Sequence, residues 1–341
     1  MNAINQFLYD ILEFINGIVN NHGVSIIIFT ILMRLVCMPF DYKSRKGMRK
    51  MQKIQPKLDA LQKKYGNDKE KFQRKQAELM RKEHYNPLSG CLPLLLTWPL
   101  MIAMFGAMRA IANEQLVLQV FRYLCGEEPI MAGDRFLWIK NIWMTDSFFA
   151  PIAPDASSLQ VLTRDVWQRV YATLTEGQLE TIAQCIAAVG GELDFATDAA
   201  MKASVQHILT ALNQVESYKA AVATVPGWNI NLFIASITIY YNYNGYLILP
   251  ALAGLTQVLY TKMNPQPENT NANAQKNGAG NFMKYFFPVL SVFFCLTSNA
   301  GFALYWVTSN VATSGLNIVV NKILDNQEKK ASAVSGEGEV K

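Results

Sequence analysis

Apolar and charged positions are segregated along this chain rather than interleaved. Four tracts are almost free of charge: Gly23–Phe40, Leu88–Met108, Ala220–Thr261 and Tyr285–Val320. A bilayer core takes about 20 apolar residues per helix, so each tract reads as a spanning candidate. The last tract is long and broken by Ser298-Asn299-Ala300-Gly301. A polar turn of small residues suits the surface end of a tight hairpin, so two short spans are expected there, 285–298 and 300–321. Ahead of the first tract, Ile4, Phe7, Leu8, Ile11, Ile15, Ile18 and Val19 recur at helical spacing. Residues 1–22 therefore read as an amphipathic helix at the membrane surface. No Lys or Arg opens it and no small-residue cleavage site closes it, which sets it apart from a signal peptide.

Between the apolar tracts the pattern changes. Met48, Met51, Ile54, Leu58, Leu61 and Tyr65 step by three and four on a basic background, predicting one arm of a helical hairpin over 42–85. Gly66 ends that arm, Asn67 with Glu70 resembles a capping box for the next, and Pro56 is expected to kink or interrupt the first. Farther on, Leu159, Leu162, Val166, Val170 and Leu174 form a stripe in a helical insertion over 151–226. Thr175 with Gln178 caps its next helix, which Gly190-Gly191 closes, and a third helix is expected from Asp198 to about Ala223.

Charge turns this pattern into a topology. Residues 43–84 hold 15 Lys or Arg against 5 Asp or Glu, whereas 112–230 hold 7 against 13. Positive loops stay in the cytoplasm, so the hairpin is expected inside and the region 111–243 outside. Tract 220–261 begins outside and ends at Lys262, and only an odd number of crossings takes the short loop 262–284 inside. One crossing over 244–261 follows, as do spans at 23–41 and 88–110. The expected fold is an all-α integral membrane protein with five spans, its N-terminus outside and its tail 322–341 in the cytoplasm. Composition agrees: 51% of the 341 residues are hydrophobic and only 17% charged. Soluble domains carry nearer a quarter.

Candidate chemistry is sparse. His22, His84 and His207 fall in three separate segments, and no CxxC or other metal spacing occurs. Neither a metal nor another cofactor is expected, and nothing suggests an enzyme. Cys37, Cys91 and Cys295 lie in apolar spans and read as small buried residues. Cys125 and Cys185 both fall in the external region, where spacing leaves open whether they pair.

One residue breaks the apolar pattern. Arg34 is flanked by Thr30, Ile31, Leu32, Met33, Leu35 and Val36. A charge at that depth costs about 2.5–3.5 kcal/mol on insertion scales, so it needs a partner, water or an escape to the interface. The four apolar tracts contain no Asp or Glu. Two readings stay open: Arg34 snorkels toward the boundary at Asp41-Tyr42-Lys43, or it faces a water-filled cavity in the cytoplasmic half of the membrane. Thr97, Gln257, Trp306, Thr308, Ser309 and Asn310 are candidates to line such a cavity. The missing carboxylates and the lack of an internal repeat count against an ion-coupled transporter. A positive dent in the inner leaflet suits the polar end of another polypeptide whose apolar segment slides into lipid.

Several local sequences resemble the YidC/Oxa/Alb family of membrane protein insertases. They are the first span with Arg34 and Pro39, the run Met48-Arg49-Lys50-Met51-Gln52-Lys53-Ile54-Gln55-Pro56-Lys57-Leu58, and Asn86-Pro87-Leu88-Ser89-Gly90-Cys91-Leu92-Pro93. Phe136-Leu137-Trp138, Leu249-Pro250-Ala251-Leu252-Ala253-Gly254, Phe287-Pro288 and the stretch from Ala300 to Asn310 complete the set. The resemblance implies a five-helix core around a hydrophilic groove open to cytoplasm and lipid, inserting clients without nucleotide hydrolysis. By position, Arg34, Gln257 and Trp306 match its groove residues, Thr97 stands where many members carry Gln, and Asn310 joins these four as an expected groove residue from the lining candidates. Lys46, Arg49, Lys50, Lys53, Lys57, Lys63 and Lys64 are the expected contacts of the hairpin with anionic lipid or partners. Nascent membrane-protein clients are the implied cargo. The Sec translocon, the ribosome and the signal-recognition machinery are implied partners, and no specific nucleic acid is. The insertion 151–226 departs from the simplest members. The mixed tail, Lys329 and Lys330 against Glu328, Glu337 and Glu339, weakens any case for ribosome docking there. A solute channel or transporter and a scaffold for membrane-complex assembly are the competing readings.

Overall fold

The computed structural model describes residues 3–85, 88–232, 235–263 and 279–336. The helices in order are α1 (Ala3–Val19), α2 (His22–Tyr65), α3 (Lys69–Lys82), α4 (Leu88–Leu124), α5 (Ala156–Gln160), α6 (Arg164–Tyr171) and α7 (Glu176–Ala188). There follow α8 (Asp198–Leu212), α9 (Glu216–Ala221), α10 (Ile248–Met263), α11 (Ala279–Thr297) and α12 (Ala300–Gly336), with strands β1 (Thr224–Leu232) and β2 (Ala235–Tyr240) ahead of α10. Among the described residues, α2 is the helix both long and apolar enough to cross a bilayer, and Tyr285–Thr297 is a shorter apolar helix. Most of the loop expected at 262–284, residues 264–278, lies outside the described residues.

The fold is helical with one exception to the all-α expectation. β1 and β2 pair antiparallel within the region expected outside the membrane. Ile237-Thr238-Ile239-Tyr240 is a β-branched and aromatic run of the kind that fits a pleated surface. The register shifts between Thr224 and Asn229, and Gly227 within that stretch has φ +83°. A bulge of this kind accommodates Pro226, whose nitrogen has no hydrogen to give the ladder.

Other expectations need correcting at their edges. The first span and first hairpin arm are one helix, α2, which contains both Pro39 and Pro56 without interruption. The cap of α3 is Asp68 rather than Asn67, its carboxylate accepting from the Lys71 amide at 3.0 Å. The helix expected from Asp198 to about Ala223 is two, because α8 ends at Leu212 and α9 starts at Glu216. Thr175 and Gln178 do form the reciprocal capping box.

The chain forms two compact units. The first is Met1–Phe29 with Ala103–Ala253 and Val292–Trp306; the second is Thr30–Ile102 with Gly254–Ser291 and Val307–Lys341. In the first, α4 runs well past residue 110, and Val117, Val120, Phe121 and Leu124 wall the core of the insertion. Trp167 sits at its centre, stacked on Phe195 at 5.9 Å and edge-on to Phe121. All five stripe residues from Leu159 to Leu174 are buried there.

The connection between α4 and α5 is held by polar groups. Asn141 and Gln119 exchange amide hydrogen bonds, and Asn244 donates to the carbonyls of Asn141 and Thr145. Asp146 accepts from the amides of Tyr246 and Leu249, which caps the start of α10. The first amides of α12 are satisfied likewise, with Ala300 donating to Met144 and Gly301 to Ile142. Gly23 is required by close approach: a Cβ there would stand 2.2 Å from the Phe136 ring.

Candidate functional site

Arg34 lies on α2, and its guanidinium donates through Nε to the Ser309 hydroxyl on α12 at 2.9 Å, with a second, shorter contact from Nη2. Among the described residues no carboxylate stands within ion-pair distance of it. The direct partner is a neutral hydroxyl, and the carboxylate that acts on Arg34 through space is Asp41, seven residues along α2 and beyond ion-pair distance. One residue on, Asn310 donates to the Thr256 hydroxyl of α10 at 3.3 Å. Ser309 and Asn310 thus connect α12 to α2 and α10 through hydroxyls and amides.

The same seam continues along α2. Arg45 donates to Asn317 at 2.7 Å, and Arg49 pairs with Asp325 at 2.6 Å. Between these ties lie buried polar atoms without a hydrogen-bond partner among the described residues: Asp41 Oδ2, Ser44 Oγ and Ser314 Oγ. These oxygens make the packing between α2 and α12 polar along this stretch.

The other expected groove residues divide. Gln257 is half-buried on α10 beside Thr256, and its carbonyl accepts from Thr261. Thr97 is on α4, but its side chain lies outside the described residues. Trp306 falls in the first unit, where its ring packs near Phe294 and Phe302, and its buried Nε1 has no partner among the described residues. Thr256 was missed from sequence, since a Thr in a helix most often bonds its own preceding turn. A signal did exist: Thr256 precedes Gln257, so two polar residues stand together in an apolar tract.

Of the seven hairpin residues, five have internal partners. Lys53 pairs with Glu328 at 3.1 Å and Lys57 with Glu83 at 2.6 Å, in addition to the Arg49 pair. Lys50 donates to the His84 carbonyl, and Lys64 lies over the Tyr65 ring. Lys46 and Lys63 have no partner among the described residues. Between the two arms runs a cleft of about 450 Å³ with Leu61 and Leu79 in its floor and Lys57, Lys64, Lys75 and Lys82 on its rim.

Comparison with known sequences decides the family. The model of the 60Kd inner membrane protein family matches residues 14–329. The chain belongs to that family. Curated relatives carry the name Membrane protein insertase YidC. That of Anaeromyxobacter dehalogenans is 38% identical over 149 residues, which is 43% of this chain and 24% of that protein. That of Fusobacterium nucleatum is 42% identical over 109 residues, 32% of this chain and 53% of the relative. The Clostridium tetani protein is 33% identical over 156 residues, 45% of this chain and 63% of the relative. The matched stretches thus span from about a quarter to under two thirds of these relatives. Membership makes this 60Kd-family chain an inner membrane protein of bacterial type.

Proposed function

We propose that this chain is a membrane protein insertase that receives hydrophobic segments of client proteins from the cytoplasm and releases them into the bilayer. In this reading five helices cross, at 23–41, 88–110, 244–261, 285–298 and 300–321, with the insertion outside and the hairpin and tail inside. The observation that carries it is the seam around Arg34. A guanidinium held by a neutral hydroxyl, in a seam of buried oxygens from Asp41, Ser44 and Ser314, supports a polar groove. Gln257 and Asn310 line that groove, and Thr97 and Trp306 are proposed members of it on resemblance.

The mechanism is electrostatic and needs no catalytic group or cofactor. In a low-dielectric wall a guanidinium attracts an acidic client segment more strongly than it does in bulk water. The segment is not trapped, because crossing to the outside returns its carboxylates to full hydration while the client's apolar helix gains lipid contact. The hairpin is proposed to meet anionic lipid and acidic faces of partners through Lys46, Lys63 and the lysine-rimmed cleft. Each such charge contributes on the order of 1 kcal/mol at an anionic surface. The Sec translocon, ribosome and signal-recognition machinery are the proposed partners on that side.

Reconstitution into liposomes tests this reading with two single-span clients, one with an acidic translocated tail and one with a neutral tail. Arg34→Ala is expected to slow the acidic client several-fold more than the neutral one, and Arg34→Lys to retain much of the activity. Equal loss for both clients would reduce Arg34 to a structural element. Solute flux in the absence of any client would favour a channel instead.

A further inference from the structure

We propose that Cys125 and Cys185 are a disulfide-forming pair that staples the insertion to the end of α4. The sequence leaves the pairing open, and the packing brings the two free residues close together. Each sulfur touches the backbone of the other's element. Cys125 Sγ lies 3.8 Å from the Gln178 carbonyl on α7, and Cys185 Sγ lies 3.5 Å from the Leu124 carbonyl, on the residue preceding Cys125. Standard peptide geometry then places the Cys185 sulfur within roughly 6 Å of the Cys125 Cα. Rotation of both side chains from there brings the sulfurs toward each other, and the Cα separation that a native bridge requires, about 4.4–6.8 Å, is what the oxidation experiment tests.

Both elements are held in place independently of the thiols. Ile182 and Ile186 anchor α7 in the core, and Phe121 and Leu124 do the same for α4. Gln178, fixed in the capping box, also donates to the Glu127 carboxylate at 2.9 Å, just beyond Cys125. Both thiols are half-buried, which leaves each reachable. Burial, with Glu127 and then Cys185 adding to it, pushes the Cys125 thiol up to about 11. Its thiolate is therefore scarce at neutral pH, so exchange with a disulfide is slow though not blocked.

The proposed oxidant is a protein disulfide of the external compartment. One cysteine thiolate attacks a sulfur of that disulfide, forming a mixed disulfide and releasing one oxidant thiolate. The second cysteine thiolate then attacks the first cysteine's sulfur and expels the other oxidant thiolate. Two thiols of this chain are oxidised, one disulfide is reduced to two thiols, and the protons pass to the released thiolates. The proposal rests on the reading that places 111–243 outside, since a reducing cytoplasm keeps such pairs open.

The test is peptide mass spectrometry of the full chain from membranes alkylated at once in acid, with and without prior reduction. A Cys125–Cys185 cross-linked peptide in most molecules, lost on reduction and absent in Cys185→Ser, is the expected result. In parallel the purified protein in detergent is equilibrated with oxidised glutathione. Failure to form the bridge there would show the geometry to be wrong. Bridging in vitro with both thiols free in cells also overturns the proposal. In that case Ser158→Cys, probed in spheroplasts with a membrane-impermeant maleimide, identifies the fault: labelling places it in the redox step, and protection places it in the topology.

Discussion

The helical insertion, built of short helices, and the basic hairpin, built of the far end of α2 and the short α3, are held by opposite means. The insertion closes on a core in which Trp167, Ile182, Ile208 and Leu212 have no exposed surface. In the hairpin the apolar seam buries Ile54 and Leu58, while α3 has no buried residue at all. What holds α3 is a cap at Asp68 and ion pairs such as Lys57–Glu83. Burial of apolar surface is cooperative and insensitive to salt, whereas exposed ion pairs are worth about 1 kcal/mol or less each and weaken as salt rises. The first region is therefore expected to hold its shape and the second to adjust. This difference suits a part that keeps its shape and a part that meets partners.

The comparison breaks most visibly in the cores. Trp167→Ala is expected to cost about 3–5 kcal/mol, because it empties the centre of the aromatic stack. Limited proteolysis within 151–226 reports the loss. Phe72→Ala on α3 is expected to change stability by well under that amount. Equal sensitivity of the two would erase the distinction.

A smaller effect separates buried from exposed charge. His22 precedes the apolar stretch Gly23–Phe40, 2.9 Å from Asp134, near Glu13 and edge-on to Trp143. Burial lowers its pKa, but hydrogen bonds to Asp134 and Glu13 and the charges of both outweigh that and push it up to about 9. A pKa raised on folding contributes stability in full below the ordinary value of 6.5, and the contribution is lost as pH rises through about 9. The first unit's melting temperature is expected to fall across that window, and His22→Gln to flatten the slope with little dependence on salt.

The smallest effect lies in the second unit. Asp325→Asn removes the partner of Arg49 and should cost about 1 kcal/mol or less. The loss, read as increased proteolysis of the hairpin, is expected at low ionic strength and to vanish in high salt. Persistence in high salt would mean that the hairpin is held by packing after all.

Much of this arrangement was legible along the chain. The stripe from Leu159 to Leu174, the Thr175–Gln178 box and the break before Ala300 all follow from local rules of spacing and capping. Those rules act within a few residues, so sequence exposes them directly. Arg34 stood out for the same reason, as a charge in an uncharged tract. The β-hairpin was less legible, because Pro226 and Gly227 read as loop punctuation, and only pairing with Ile237–Tyr240 makes a strand of that segment.

By itself the sequence determined which stretches are helical, which faces are apolar and which residue carries a charge where charge is costly, since period and hydropathy are properties of neighbours in the chain. Only the tertiary structure decided that Ser309 receives Arg34, that Asn310 reaches Thr256, and that Cys185 meets the end of α4. Those contacts join residues from dozens to hundreds of positions apart, and their geometry is set by helix packing that no local pattern encodes.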